Sequence, residues 1–193
     1  MAVKEPQDVA PSRCGRGHGG TSKEIVMSNT ERNVRAAFAG ESQANRKYLA
    51  FAKVAEKEGQ SQIARLFRAA AEAETIHAHA HLAAMGGIGT TAKNLDEAIH
   101  GETYEFEKMY PDFITEAEAE ENKTALRMFR WANEVEAIHA ALYRKYKAAL
   151  DAGEALPATK LYVCDVCGNT VEDEPPDRCP VCGAARKAFK EIQ

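Results

Sequence analysis

The sequence predicts a mainly α protein: a four-helix bundle followed by a small four-cysteine metal domain. Three observations predict it. Apolar residues recur at steps of three and four through the middle of the 193-residue chain, where Ala, Glu, Lys and Arg dominate, and that composition and period favour helix. The segment "AEAETIHA" (71–78) returns 62 residues later as "NEVEAIHA" (133–140). Four of the five cysteines fall in two C-x-x-C pairs, Cys164 with Cys167 and Cys179 with Cys182.

Composition narrows the function classes. The net charge is −4 and no long basic run occurs, which argues against nucleic acid or an anionic membrane surface as the main partner. No apolar run approaches the length of a membrane span. Residues 1–27 are rich in Gly, Pro and charge and lack the apolar core of a signal peptide; they read as a flexible extension. Cys14 and His18, in "CGRGHGG", could hold a metal or be a stray thiol and imidazole. Paired C-x-x-C without a signal peptide points to metal rather than disulfides, and to a cytoplasmic location.

The bundle is expected over residues 28–152. Ser28 and Glu31 have capping-box spacing. Val34, Phe38, Glu41, Asn45, Tyr48, Ala52 and Ala55 then mark one face of a first helix that ends near Gly59. A second stripe runs Ile63, Phe67, Ala70, Glu74 and His77 and closes at Gly86-Gly87. A third runs Leu95, Ile99 and Glu102, then Tyr110, Phe113 and Ala117. The fourth runs Leu126, Phe129, Asn133, Glu136, His139, Tyr143 and Tyr146 and stops near Gly153.

These helices repeat as two hairpins. "GES" (40–42) matches "GET" (101–103) at a separation of 61, whereas Tyr48 matches Tyr110 and Phe51 matches Phe113 at 62. One extra residue therefore lies between Glu102 and Tyr110. An insertion inside a helix suggests a π-bulge; Pro111, just beyond, offers a plain proline kink instead. An i→i+5 backbone bond between residues 100 and 112 would decide.

Glu41, Glu74, Glu102 and Glu136 lie on the apolar stripes, and no Lys or Arg shares the stripes at those levels. Ionised carboxylates there need positive charge close by. Two metal cations supply it. In Glu-x-x-His the two residues sit about one turn apart on one face, so Glu74 with His77, and Glu136 with His139, can each reach one ion. Glu41 and Glu102 add a carboxylate from each remaining helix. Mixed carboxylate and imidazole ligation suits iron or manganese, and this ligand arrangement is the one found in di-iron and di-manganese carboxylate bundles. Glu105, three residues past Glu102, reads equally as a ligand or a surface residue. His79 and His100 read as surface histidines, His81, one turn past His77, as a surface or packing residue or a neighbour of the ligands, and Glu72 and Glu134 fall on another face. Tyr48 and Tyr110 either hydrogen-bond the ligand carboxylates or simply pack.

Residues 153–160 read as a linker and 161–193 as the second domain. A segment that short cannot bury an adequate core unaided, so a tetrahedral four-cysteine site is expected to hold it. Each pair is followed by a Gly whose turn lets backbone N–H groups point at sulfur. The spacing alone suits zinc as well as iron; attachment to a di-iron type of bundle favours iron.

From residue 28 onward the chain resembles the rubrerythrin family, a ferritin-like di-iron bundle followed by a rubredoxin-like domain. "AFAGESQANRKY", "AEAETIHA", "GETYEFEKMYP", "NEVEAIHA" and "YVCDVCG…CPVCGA" carry the resemblance. The connection "GGIGTTAKN" is shorter than is usual in the family, and the extension lies outside the pattern. The resemblance implies that Glu41 and Glu102 are terminal ligands, that Glu74 and Glu136 bridge two irons, and that His139 binds the iron held by Glu102. It implies that His77 and Glu105 exchange on the other iron with redox state, and that Cys164, Cys167, Cys179 and Cys182 hold a single iron. It further implies a peroxidase that reduces hydrogen peroxide to water in oxidative-stress protection. Electrons would come from NAD(P)H through a separate reductase or rubredoxin. A head-to-tail homodimer would bring one chain's rubredoxin-like domain to the other's bundle. No Gly-rich dinucleotide fingerprint occurs, so the chain is not expected to take hydride itself. The alternatives are a ferritin-like ferroxidase, which needs no electron-input domain, and a zinc-ribbon interaction protein, which leaves the stripe carboxylates unexplained.

Overall fold

The structure, a computed structural model, describes residues 27–193. Cys14, His18 and nearly all of the expected extension lie outside the described residues. The chain forms two compact units, one up to His81 and one from Leu82. The division falls between the two hairpins of the sequence repeat rather than at the 153–160 segment.

The first unit is a helical hairpin of α1 (Asn29–Lys57) and α2 (Ser61–Ala84). Ser28 starts α1 as the spacing predicts. Its Oγ accepts from the Glu31 N–H at 3.2 Å, and its own N–H donates to Glu31 Oε2 at 2.6 Å, so two orphan donors of the first turn are satisfied. Gly59, at φ +75°, turns the chain, a conformation that a Cβ would strain. Buried Ala52, Ala55, Ala64, Ala71 and Ala78 leave little side-chain bulk along both helices. Buried Asn45 ties the two together: its Nδ2 donates to the Ala71 carbonyl at 2.7 Å and to Thr75 Oγ1 at 2.8 Å. Tyr48, Phe51 and Phe67 stack beside this contact.

The second unit holds the other hairpin and the sheet. Thr90 caps α3 (Thr91–Tyr104), which runs on through a π-helical turn (Glu105–Met109) into α4 (Tyr110–Ala119). The Tyr110 N–H bonds the Glu105 carbonyl, an i→i+5 bond inside the predicted window. The inserted residue is thus absorbed as a π-bulge, and Pro111 sits in the turn directly after it. Asn122 caps α5 (Lys123–Ala152), and Gly153, at φ +67°, ends it. Tyr110, Phe113 and Phe129 repeat the first hairpin's aromatic trio. Tyr110 and Phe129 centroids are 6.2 Å apart, as are those of Tyr48 and Phe67.

The sheet is β1 (Leu161–Cys164), β2 (Thr170–Glu172) and β3 (Phe189–Ile192), in the antiparallel order β2-β1-β3. Cys164, Cys179 and Phe189 form its small buried core. β2 sits against α5 of the same chain. Tyr146 Oη donates to Glu172 Oε1 at 3.0 Å and Lys145 Nζ to Glu172 Oε2 at 2.6 Å. The resemblance implied that this domain approaches a partner's bundle; the segment 153–160 is long enough for it to fold back on its own helix.

Replacing Ser28 with Ala removes one half of the cap and is expected to destabilise the first hairpin by about 1 kcal/mol, measured as a lower denaturant midpoint by circular dichroism.

Candidate metal centres

Each hairpin brings two glutamates and a histidine together. In the first unit α1 supplies Glu41 and α2 supplies Glu74 and His77; in the second α3 supplies Glu102 and α5 supplies Glu136 and His139. The ligand atoms within each trio lie within 4.8 Å of one another. His77 Nδ1 is 3.0 Å from Glu74 and 3.9 Å from Glu41. His139 Nδ1 is 2.8 Å from Glu136 and 3.8 Å from Glu102. The same cluster is built twice to within 0.2 Å, because the sequence repeat places i, i+3 pairs at equivalent levels of equivalent helices.

Among the described residues, the two histidines are the only basic side chains within 4.0 Å of these four carboxylates. Protons answer part of the demand for positive charge. Burial, then the hydrogen bond with Glu136 and its charge, push the Glu102 carboxyl up to about 7. Glu136 is held low by its hydrogen bond to His139, and that bond raises His139 against the opposing effect of burial. In the first cluster Glu41 is raised by its hydrogen bond with Glu74, while Glu74 is lowered by the same bond and by His77. In each cluster one carboxyl is thus raised and its partner lowered. A divalent cation can take the proton's place and use both carboxylates and the Nδ1 atom, so the donor set fits a metal.

Glu105, the first residue of the π-helical turn, stands outside the trio, but burial and the charge of Glu136 raise its carboxyl. It therefore lies beside the second cluster. His79, His100, Glu72 and Glu134 are exposed, as expected. His81 is half-buried and its charge lowers the Glu41 carboxyl, a neighbour role the sequence left open. Both Tyr48 and Tyr110 stack in their aromatic trios. The Tyr110 hydroxyl is raised by burial and by the charges of Glu105, Glu136 and Glu102.

The four cysteines converge as predicted. Cys164 and Cys182 Sγ are 3.8 Å apart, Cys167 and Cys179 Sγ are 3.5 Å apart, and all four lie within 4.8 Å. A tetrahedral ion with sulfur ligands at about 2.3 Å requires an edge of about 3.8 Å, so the cage is the right size. Gly168 and Gly183, both at positive φ, close each Cys turn by donating to the carbonyls of Cys164 and Cys179 at 2.8 and 2.9 Å. The N–H groups beyond them serve sulfur. Burial pushes the Cys179 thiol up, but the backbone N–H groups of Cys182 and Val181 outweigh it and bring the thiol down to about 7. Buried Asn169 adds an Nδ2 donor to Cys179 Sγ at 3.7 Å. Burial drives Cys167 well up, an opposition that metal binding resolves by removing the proton.

Sequence reasoning missed Thr170. Its Oγ1 lies 3.0 Å from His139 Nε2. A threonine opening a short strand carries no spacing signal that would mark it.

This geometry defines a class: a helical protein with two carboxylate–imidazole metal clusters and a rubredoxin-like four-cysteine domain. The family model Rubrerythrin matches residues 32–147, and the model for the rubrerythrin rubredoxin-like domain matches residues 162–190. The chain belongs to the rubrerythrin family. It is 35% identical to Rubrerythrin-2 of Clostridium acetobutylicum over 81% of this chain and 93% of that protein. It is 37% identical to nigerythrin of Nitratidesulfovibrio vulgaris over 87% and 88%. A solved structure of nigerythrin in its fully reduced, all-ferrous state covers 90% of this chain and 91% of that chain, with a TM-score of 0.52 at 33% identity. Each of the two clusters is thus a candidate iron site of an iron-binding family, and the four cysteines are its rubredoxin-like site.

Glu102 favours its protonated form in the folded chain. Its contribution to stability without metal is full below its ordinary 4.5 and is lost as pH rises through about 7. Metal must displace that proton. Ferrous iron binding is therefore expected to weaken as pH falls below about 7, with proton release that calorimetry in buffers of different ionisation enthalpy would detect.

Proposed function

We propose that the protein is a non-haem di-iron peroxidase that reduces hydrogen peroxide to water, with electrons arriving through its own four-cysteine iron, in protection against oxidative stress. The observation that carries this reading is the pairing in one chain of two Glu, Glu, His clusters with a four-thiolate cage whose β2 strand touches His139. A ferroxidase has no use for such an input domain.

In this reading Glu74 and Glu136 would bridge the iron pair, Glu41 and Glu102 would each hold one iron, and His139 would bind the iron that Glu102 holds. His77 and Glu105 would alternate on the other iron with redox state. The side chain of His77 is 56% exposed against 26% for His139, which suits a ring that moves. Bound as a ferrous pair, iron supplies the two electrons that hydrogen peroxide takes up with two protons to give two waters, and a tetrathiolate iron restores them singly. The raised carboxyl of Glu105 can hold a proton beside the second cluster. Tyr110 lines that cluster with an un-ionised hydroxyl.

Reducing power would come from NAD(P)H through a separate reductase or a rubredoxin. A homodimer is proposed because large apolar side chains stand open on the helices, among them Leu66 at 67% and Ile76 at 63% exposure, more than a lone helical hairpin should leave to water. No helix among the described residues is long and apolar enough to cross a membrane, and a cytoplasmic location is proposed on the cysteine chemistry.

The test is metal content followed by rapid mixing. The isolated protein should hold about three irons per chain, and the reduced form should be oxidised faster by peroxide than by oxygen. Oxygen winning would favour the ferroxidase, and zinc in the cysteine cage would remove the relay. Glu74→Ala should abolish binding of the iron pair while leaving the tetrathiolate iron spectrum intact.

A further inference from the structure

The two histidines of the repeat are not held alike. Both present Nδ1 to a glutamate of their own helix, at 3.0 Å for His77 and 2.8 Å for His139. Only His139 has a partner on its other nitrogen among the described residues: Nε2 lies 3.0 Å from Thr170 Oγ1. The Thr170 hydroxyl in turn donates to the Gly168 carbonyl at 3.2 Å. With its proton directed at Gly168, Oγ1 is placed to accept from His139, which makes Nε2–H the donor of that pair. Nδ1, which hydrogen-bonds Glu136, is then the nitrogen that would give up its proton to an ion beside Glu102 and Glu136.

We propose that Thr170 is a positioning residue for His139: its hydroxyl accepts the Nε2 proton, fixes the ring with Nδ1 as the ligating nitrogen, and fastens that ligand to the cysteine loop of the same chain. The inference rests on the reading of His139 as an iron ligand. Metal-binding histidines commonly owe their tautomer and ring orientation to an acceptor on the far nitrogen. Here the acceptor comes from β2, two residues from Glu172, whose bonds to Lys145 and Tyr146 pin the strand on α5. His139 and Thr170 also edge a cavity of about 390 Å³ lined largely by Leu95, Leu142, Leu150 and Leu161, surroundings that offer few other acceptors to the ring. The Gly168 carbonyl also faces the imidazole, so losing the hydroxyl leaves a poorer acceptor rather than none. Among the described residues the first hairpin has no equivalent strand, and His77 Nε2 has no such partner.

Thr170→Val keeps the shape and the β-branching of the strand but removes the acceptor; Thr170→Ser keeps the acceptor. The full chain loaded with zinc, which is diamagnetic and accepts the same ligand types, allows the His139 Nε2–H proton to be followed by NMR. In the wild type it should exchange slowly with water. In Thr170→Val it should exchange at least tenfold faster, and ferrous affinity at this cluster should fall about tenfold, with Thr170→Ser restoring both. Unchanged exchange and affinity in Thr170→Val, with its circular dichroism and tetrathiolate spectrum intact, overturns the proposal alone. A wild-type chain that takes up no metal at His139 overturns the iron-ligand reading and the proposal together. A Thr170→Ser variant that fails to restore either property also overturns it, because the effect would then belong to packing.

Discussion

Four carboxylates on the apolar stripes of two helical hairpins, with no lysine or arginine among the described residues within 4.0 Å, set the terms for this molecule. Glutamate in such a place either neutralises itself with a proton or recruits a cation. Glu102 is raised to about 7 while Glu136 is lowered, and Glu41 is raised while Glu74 is lowered. A divalent ion satisfies both carboxylates of a cluster and the adjoining imidazole as well.

Much of this was legible in the sequence because it rests on period. Glu-x-x-His occurring twice in register predicts two clusters, and the clusters form with matching distances. The slip from 61 to 62 in the repeat placed an extra residue between Glu102 and Tyr110 and left a π-bulge and a proline kink both open; the structure takes that residue up in the π-helical turn Glu105–Met109. Ser28 with Glu31, Gly153 and the four cysteines likewise announced themselves through local chemistry that tertiary context did not overrule.

Other features depend on encounters between distant segments, which no spacing encodes. Asn45 looked like one more stripe residue, yet it is the buried hydrogen-bonding link between α1 and α2. His81 could not be placed until its charge was found next to Glu41. Thr170, Tyr146 and Glu172 matter because β2 comes to rest on α5, a contact between residues 26 or more apart whose existence depends on how the linker folds back. That contact also breaks the symmetry of the repeat: among the described residues His139 has a hydrogen-bond partner on each ring nitrogen and His77 on Nδ1 alone.

The duplication therefore supplies the metal chemistry, and the appended domain makes its two halves unequal. Anomalous diffraction at the iron absorption edge tests the foundation most directly. Crystals of protein prepared with ferrous iron should show two strong peaks flanked by Glu41, Glu74, Glu102, Glu136 and His139, and a third inside the cysteine cage. A folded bundle with no peak beside those glutamates would contradict the account.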